Sequence, residues 1–357
     1  MSVTAAQGII GFGPQPAKGT LATTWYRHRA TMVDLDVADP VLEGPPEVGG
    51  IGVPTFPYKP GPMVGGGLTI MPRLEDTFGW LLYGLIGQSE AEAVVGQSGL
   101  YDHTFELPSD EVIAVPWMSF RKYVPKSDGA VGTDVGQIFK DCKVIGTTLT
   151  LPNDAPISAR VDVLGREAEL DNMNTPWVWE NTYEGWESIP VGCVTSGYIK
   201  IDDVEMPIVG ANVTFQNVPL DPRQERVFGS PFLEDITKLQ SRLSYDLIIK
   251  WKNPDLYQKI FSGAADGLTW SPAPYTASFK VQTVSSVNIP TYDVPYLLKV
   301  EAEDVIMNLV GGLVLGANQS ILMRFQGTAL ENQAGYAKFI LRNEVAAYVW
   351  PTPDSSS

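Results

Sequence analysis

Chemistry at a protein site needs titratable or nucleophilic groups at workable spacing, and this chain has few. His28 and His103 are its only histidines, and neither has a metal-ligand partner two or four residues away. A surface or hydrogen-bonded histidine is expected at each position, not a ligand or a base. Cys142 and Cys193 are the only cysteines, too few for a disulfide framework or a structural zinc site. There is no Gly-x-Ser-x-Gly elbow. Gly11-Phe-Gly13 lacks the third glycine of a dinucleotide site, and Gly65-Gly-Gly67 lacks the Gly-Lys-Ser/Thr of a phosphate loop. Trp177, Trp179 and Trp186 beside Glu180, Glu184 and Glu187 come nearest to a catalytic cluster, because aromatic rings stack on sugars and paired carboxylates hydrolyse glycosides. The stronger reading is that these tryptophans pin a connecting segment while the acids solvate it. No enzyme activity, cofactor or metal is expected.

The net charge of −16 argues against a nucleic-acid clamp, which needs a basic face to displace counterions. It leaves room for a surface that repels DNA without binding it. No basic and apolar leader and no run of 18 apolar residues is visible, so a cytosolic, soluble chain is expected.

The elements that would position any site are mostly strands. Ser241–Trp251 partly alternates and is rich in β-formers, and Asn253-Pro-Asp-Leu-Tyr-Gln-Lys-Ile-Phe-Ser-Gly263 reads as a short helix. In that helix Asn253 is the expected cap, Asp255 faces the positive end, and Gly263 is the left-handed stop. The same order occurs earlier, with Gly67–Leu74 as a strand and Glu75–Gly87 as an apolar, acid-started helix with a glycine stop. Aligning Gly87 with Gly263 sets the copies 176 positions apart (263 − 87). The strand pair Lys143–Leu151 and Ile157–Gly165 resembles Val305–Leu309 and Gln319–Gly327 at an offset of 162 (305 − 143). Val194–Ile201 and Ile208–Phe215 read as a hairpin-like pair around Asp202-Asp203, and Asn217–Phe232 as a second long loop.

A dozen or more short strands against two short helices make a mainly β fold. The expected architecture is two duplicated β-sandwich or barrel units, each with a short flanking α-helix. The divisions read as an N-terminal arm at 1–25, a first unit at 26–170, a linker at 171–190, a second unit at 191–335, and a C-terminal segment and tail at 336–357.

Within the first unit, residues 43–67 form a long proline- and glycine-rich loop. Its prolines cannot donate to a strand ladder. Ile51, Val53, Phe56, Tyr58, Met63 and Val64 make it too apolar for comfortable solvation, so a docking role is expected, with plain disorder as the alternative.

The strand-and-helix unit, the Phe139–Leu151 strand, this early loop and the Ile208–Asn217 strand together resemble tail tube (major tail) proteins of long-tailed, non-contractile bacteriophages, over residues 8–330 or so. The resemblance implies a tail-tube-type β-sandwich or barrel, and rings that stack into a hollow tube. Most such proteins carry one unit per chain and six chains per ring. The larger ones carry two units, and three chains then make a pseudo-sixfold ring, the type to which the apparent duplication points. The resemblance also implies a virion protein assembled in the host cytoplasm. Its partners would be its own copies, a tape measure protein, and tail terminator and distal tail proteins. DNA would pass through the lumen without specific binding, and no membrane would be involved. Ile51, Val53, Phe56, Tyr58 and Met63 are the expected contacts between rings. Two other readings are a different virion structural protein, such as a tail adaptor or decoration protein, and a carbohydrate-active β-sandwich enzyme.

Overall fold

The computed structural model describes residues 8–38, 41–45, 48, 53–54, 56–59, 61–107, 115–124, 135–171, 177–182, 185–192, 197–252, 254–311, 320–331 and 336–351. In chain order the first elements are β1 (Ile9–Pro14), β2 (Tyr26–His28), β3 (Ala30–Val33), β4 (Asp36–Ala38), β5 (Leu42–Glu43), β6 (Pro57–Tyr58) and β7 (Met63–Ile70). Helix α1 (Thr77–Ile86) precedes β8 (Glu90–Ala93), β9 (Tyr101–Glu106), β10 (Met118–Val124), β11 (Val135–Pro152), β12 (Ser158–Asp171) and β13 (Asn181–Thr182). Next come β14 (Tyr198–Ile201), β15 (Val204–Glu205), β16 (Ile208–Pro219) and β17 (Lys238–Lys250). Helix α2 (Asp255–Ser262) is followed by β18 (Thr276–Asn288), β19 (Pro295–Leu309), β20 (Leu322–Ala329) and β21 (Lys338–Asn343). The fold is mainly β, as expected.

The strands follow from period-2 patterning. In β17, Leu243, Tyr245, Leu247 and Ile249 point into the core, while Asp246, Ile248 and Lys250 face outward. β20 repeats this with Met323, Phe325 and Ala329 inward. The two helices differ. Nearly every residue of α1 is buried, whereas α2 buries only Leu256 and Ser262. Both end as read from sequence. Gly87 and Gly263 take left-handed conformations, and their N–H groups bond back to the carbonyls of Tyr83 and Lys259.

Two runs of antiparallel strands share one order. The first is β3 and β4, then β7, β12, β11, β10, β1 and β2. The second is β16, β17, β20, β19, β18, β14 and β15. In each, the last strand leads along the chain into the first, so the run returns on itself. The helix follows β7 in one and β17 in the other.

Several sequence boundaries need correction. The two runs are not separate bodies. β16 pairs with Gly146–Pro152 of β11, and β21 joins β19 to β9, so one sheet and one core cross the expected division. Residues 9–14 are not part of an arm, since β1 is buried between β10 and β2. Its glycines hid the signal. A Cβ on Gly11 would lie 2.1 Å from the Trp179 ring, so close packing, not mobility, accounts for that residue. The expected linker begins inside β12, and β13 then runs parallel to β2. The expected C-terminal segment contains β21, and its Tyr348 and Trp350 cover α1. The Asp202-Asp203 turn is real, and both residues have positive φ. Its partner strand is the short β15, while β16 turns away to pair with β11 and β17. Asn253 lies outside the described residues, and Pro254 holds the cap position of α2 with no side-chain cap.

Candidate assembly surface

The expected docking loop resolves into a ribbon and a strand. Leu42–Glu43 and Pro57–Tyr58 form a two-stranded sheet of their own, separate from the main sheet. Glycine at position 44 lets the Phe56 ring lie against the backbone, where a Cβ would meet it at 2.7 Å. The Phe56 and Tyr58 rings are 6.3 Å apart. Val53, Phe56 and Tyr58 are 50, 48 and 45% exposed, and Val41 and Leu42 are also exposed beside them. Ile51 lies outside the described residues. Met63 is no free anchor: it opens β7 and packs against Leu164, Leu233 and Ile236. The prolines before it masked where the strand begins.

The base of this ribbon is fixed by the second long loop. Arg226 donates from Nη2 to the carbonyl of Gly61 at 3.0 Å and from Nη1 to that of Pro231 at 3.1 Å. The two long loops therefore meet, a contact between residues 165 apart that no local pattern could indicate.

A second exposed apolar surface surrounds α2. Tyr257 stacks on Phe261 with centroids 6.0 Å apart, and Trp251 lies 5.8 Å from Tyr257. The loop after the helix folds back onto it, with Ser271 N–H donating to the Ser262 carbonyl at 2.7 Å, and it exposes Leu268 and Trp270. The first helix has no such open face. Trp350 stacks on Tyr83, Tyr348 meets Trp80 edge-on, and Asn217 Nδ2 donates to the Leu85 carbonyl at 2.6 Å.

Trp179 packs on the Ala22, Trp25 and Ile138 cluster and meets Trp177 edge-on. Trp186, Glu180 and Glu187 are exposed, and Glu184 lies outside the described residues. Cys142 is buried, and burial pushes its thiol pKa well up; Cys193 lies outside the described residues. Among the described residues no group of three or more His, Cys, Asp or Glu is arranged to hold a metal ion. Among the described residues no helix is long and apolar enough to cross a membrane.

Both histidines are buried, not on the surface. His103 packs edge-on to Tyr348, and burial lowers its pKa. His28 bonds through Nδ1 to Thr77 Oγ1 at 2.7 Å and through Nε2 to the Met71 carbonyl at 3.2 Å. Burial, helped by Arg73, lowers its pKa from 6.5 to about 3. Near the same helix start, Glu75 is pushed up from 4.5 to about 7, first by burial and then by Glu187 and Asp76.

The two shifts have opposite consequences. His28 has a folded pKa below its unfolded one, so its contribution is complete above pH 6.5 and is lost as pH falls towards 3. Glu75 has a folded pKa above its unfolded one, so stability is complete below pH 4.5 and declines as pH rises through 7. The slopes offset each other between those unfolded values. Below them stability is expected to fall, with His28 alone supplying about 1.4 kcal/mol per pH unit. Glu75→Gln removes the alkaline arm. In denaturant titrations it is expected to gain about 3 kcal/mol on the wild type between pH 4.5 and pH 8. A difference that does not change with pH would contradict this assignment.

No protein-family model and no curated protein matches this chain.

Proposed function

We propose that this chain is a structural subunit that polymerises as stacked rings into the tail tube of a long-tailed phage, the conduit for DNA ejection. The observation that carries the reading is the order of strand pairings that recurs in two runs of one chain, each with a helix after its second member, which supports a duplicated tail-tube-type unit. Two units per chain favour three chains in a pseudo-sixfold ring. The exposed ribbon of Val53, Phe56 and Tyr58 supports a contact from one ring to the next. Closed rings would also remove sheet edges that otherwise invite uncontrolled pairing. In this reading the partners are further copies, a tape measure protein, and terminator and distal tail proteins. The chain carries out no catalysis and binds no cofactor. With a net charge of −16, the lumen is negative and lets DNA pass without adhering.

Electron microscopy and sedimentation of the purified protein test this reading. Uniform hollow tubes are expected, with no DNA retained at physiological salt. Discrete spikes or isolated rings at every concentration, or tight DNA binding, would contradict it.

A further inference from the structure

Two exposed apolar surfaces stand at opposite ends of the shared sheet. β7 connects to β17 through β12, β11 and β16, and each of the four pairings on that path is antiparallel, so β7 and β17 run the same way. The ribbon of β5 and β6 enters before the first residue of β7. The second long loop, whose Arg226 clamps the ribbon's base at Gly61, enters before the first residue of β17. Helix α2 leaves after the last residue of β17, so its surface lies at the other end of these strands.

We propose that the ribbon of one copy docks on the surface formed by Phe261, Leu268 and Trp270 in the next copy. The inference deepens the assembly reading above and rests on its premise that copies of this chain join one another. Phe261, Leu268 and Trp270 are 67, 81 and 74% exposed. The ribbon exposes Val41, Leu42, Val53, Phe56 and Tyr58 to a smaller degree each. The two patches match in size, since each offers roughly 500 Å² of apolar residue surface. Together they bury about 1,000 Å², below the roughly 1,200–2,000 Å² of a stable two-chain interface. A single contact therefore holds two chains weakly, and repetition around a ring makes it hold.

Charge supports the same pairing. Asp266 is the only charged residue from Ile260 to Tyr275. Its carboxylate is held within its own loop, accepting the N–H groups of Leu268 at 2.9 Å and Thr269 at 3.0 Å. The rest of that stretch is free of charge, as the centre of an apolar contact requires. At the edges the charges are opposite. The exposed Glu43 adjoins Leu42 on the ribbon, and the exposed Lys252 adjoins Trp251 ahead of α2. The two sides of the contact are different surfaces, so it propagates head to tail along the strand direction.

The test replaces Trp270 with photoreactive benzoylphenylalanine and mixes this chain with isotope-labelled wild type before assembly. After irradiation, mass spectrometry is expected to find position 270 of one chain joined to residues 41–59 of another. Assembled protein whose cross-links join position 270 to α2 of another copy, or to any segment other than the ribbon, would overturn this docking while leaving the assembly reading standing. Failure of the unmutated protein to assemble under any condition would overturn both. A charge exchange checks the pairing without a cross-linker. Glu43→Lys and Lys252→Glu are each expected to keep the wild-type circular dichroism spectrum and to need about threefold more protein to assemble. The double variant is expected to return to the wild-type concentration. Single variants that assemble at the wild-type concentration, or a double variant no better than either single, would also overturn the proposal.

Discussion

Asp141→Ala is expected to destabilise the folded chain by about 3–5 kcal/mol, the cost of removing one partner from a buried ion pair. Asp141 is fully buried at a register shift between β10 and β11, and it has a positive φ of 53°. Its carboxylate accepts the N–H of Gly19 at 2.7 Å and the Gln15 side-chain amide at 2.9 Å, and it pairs with Arg166 Nη1. Its own N–H donates back to Gln15 Oε1 at 2.9 Å, and Arg166 also donates to the Leu233 carbonyl. One carboxylate thus ties the segment after β1, the β11–β12 pair and the second long loop together. Alanine would leave the buried Arg166 guanidinium unpaired. Asp141→Asn keeps acceptor atoms and is expected to cost less. Urea midpoints measure both, and a loss below about 1 kcal/mol for the alanine variant would show that the network is dispensable.

Replacing Val53, Phe56 and Tyr58 together with serine is expected to abolish tubes while leaving the monomer folded. The ribbon is a separate two-stranded sheet, so stability should change by no more than about 1 kcal/mol. Each of these side chains, if buried between rings, contributes roughly 1.5–3 kcal/mol, and the contact recurs around every ring. Substitution is cleaner than deleting residues 48–64, because that span includes Met63 and the fully buried Val64 of β7. Circular dichroism and sedimentation report folding, and microscopy reports tubes. Normal polymerisation would remove the ribbon from the inter-ring contact. Loss of folding would assign it to the core.

What could be read in the sequence was whatever local periodicity encodes. The alternation of Leu243, Tyr245, Leu247 and Ile249, the glycine stops at 87 and 263, and the Asp202-Asp203 turn all stand where the pattern put them. The short sheet of β5 and β6 was not legible, because two-residue strands among prolines and glycines carry no period. The other failures have long-range causes. β1 looked like an arm because Gly11 and Gly13 suit close backbone approach, which reads locally as flexibility. The pairing of β21 with β9 and the contact of Arg226 with Gly61 join residues far apart in sequence. Asp141 and Gln15 are 126 positions apart, so no spacing rule could reveal their network. Burial of both histidines depended on which strands closed over them, which no pattern around His28 or His103 specifies.

The most direct test of the central claim is the symmetry of an image reconstruction of the purified, assembled protein. Stacked rings of three chains are expected, each chain supplying two similar units so that the ring looks sixfold at low resolution. The ribbon at residues 53–58 should lie against the neighbouring ring. Six complete chains per ring, or assemblies with no repeated ring, would contradict the account.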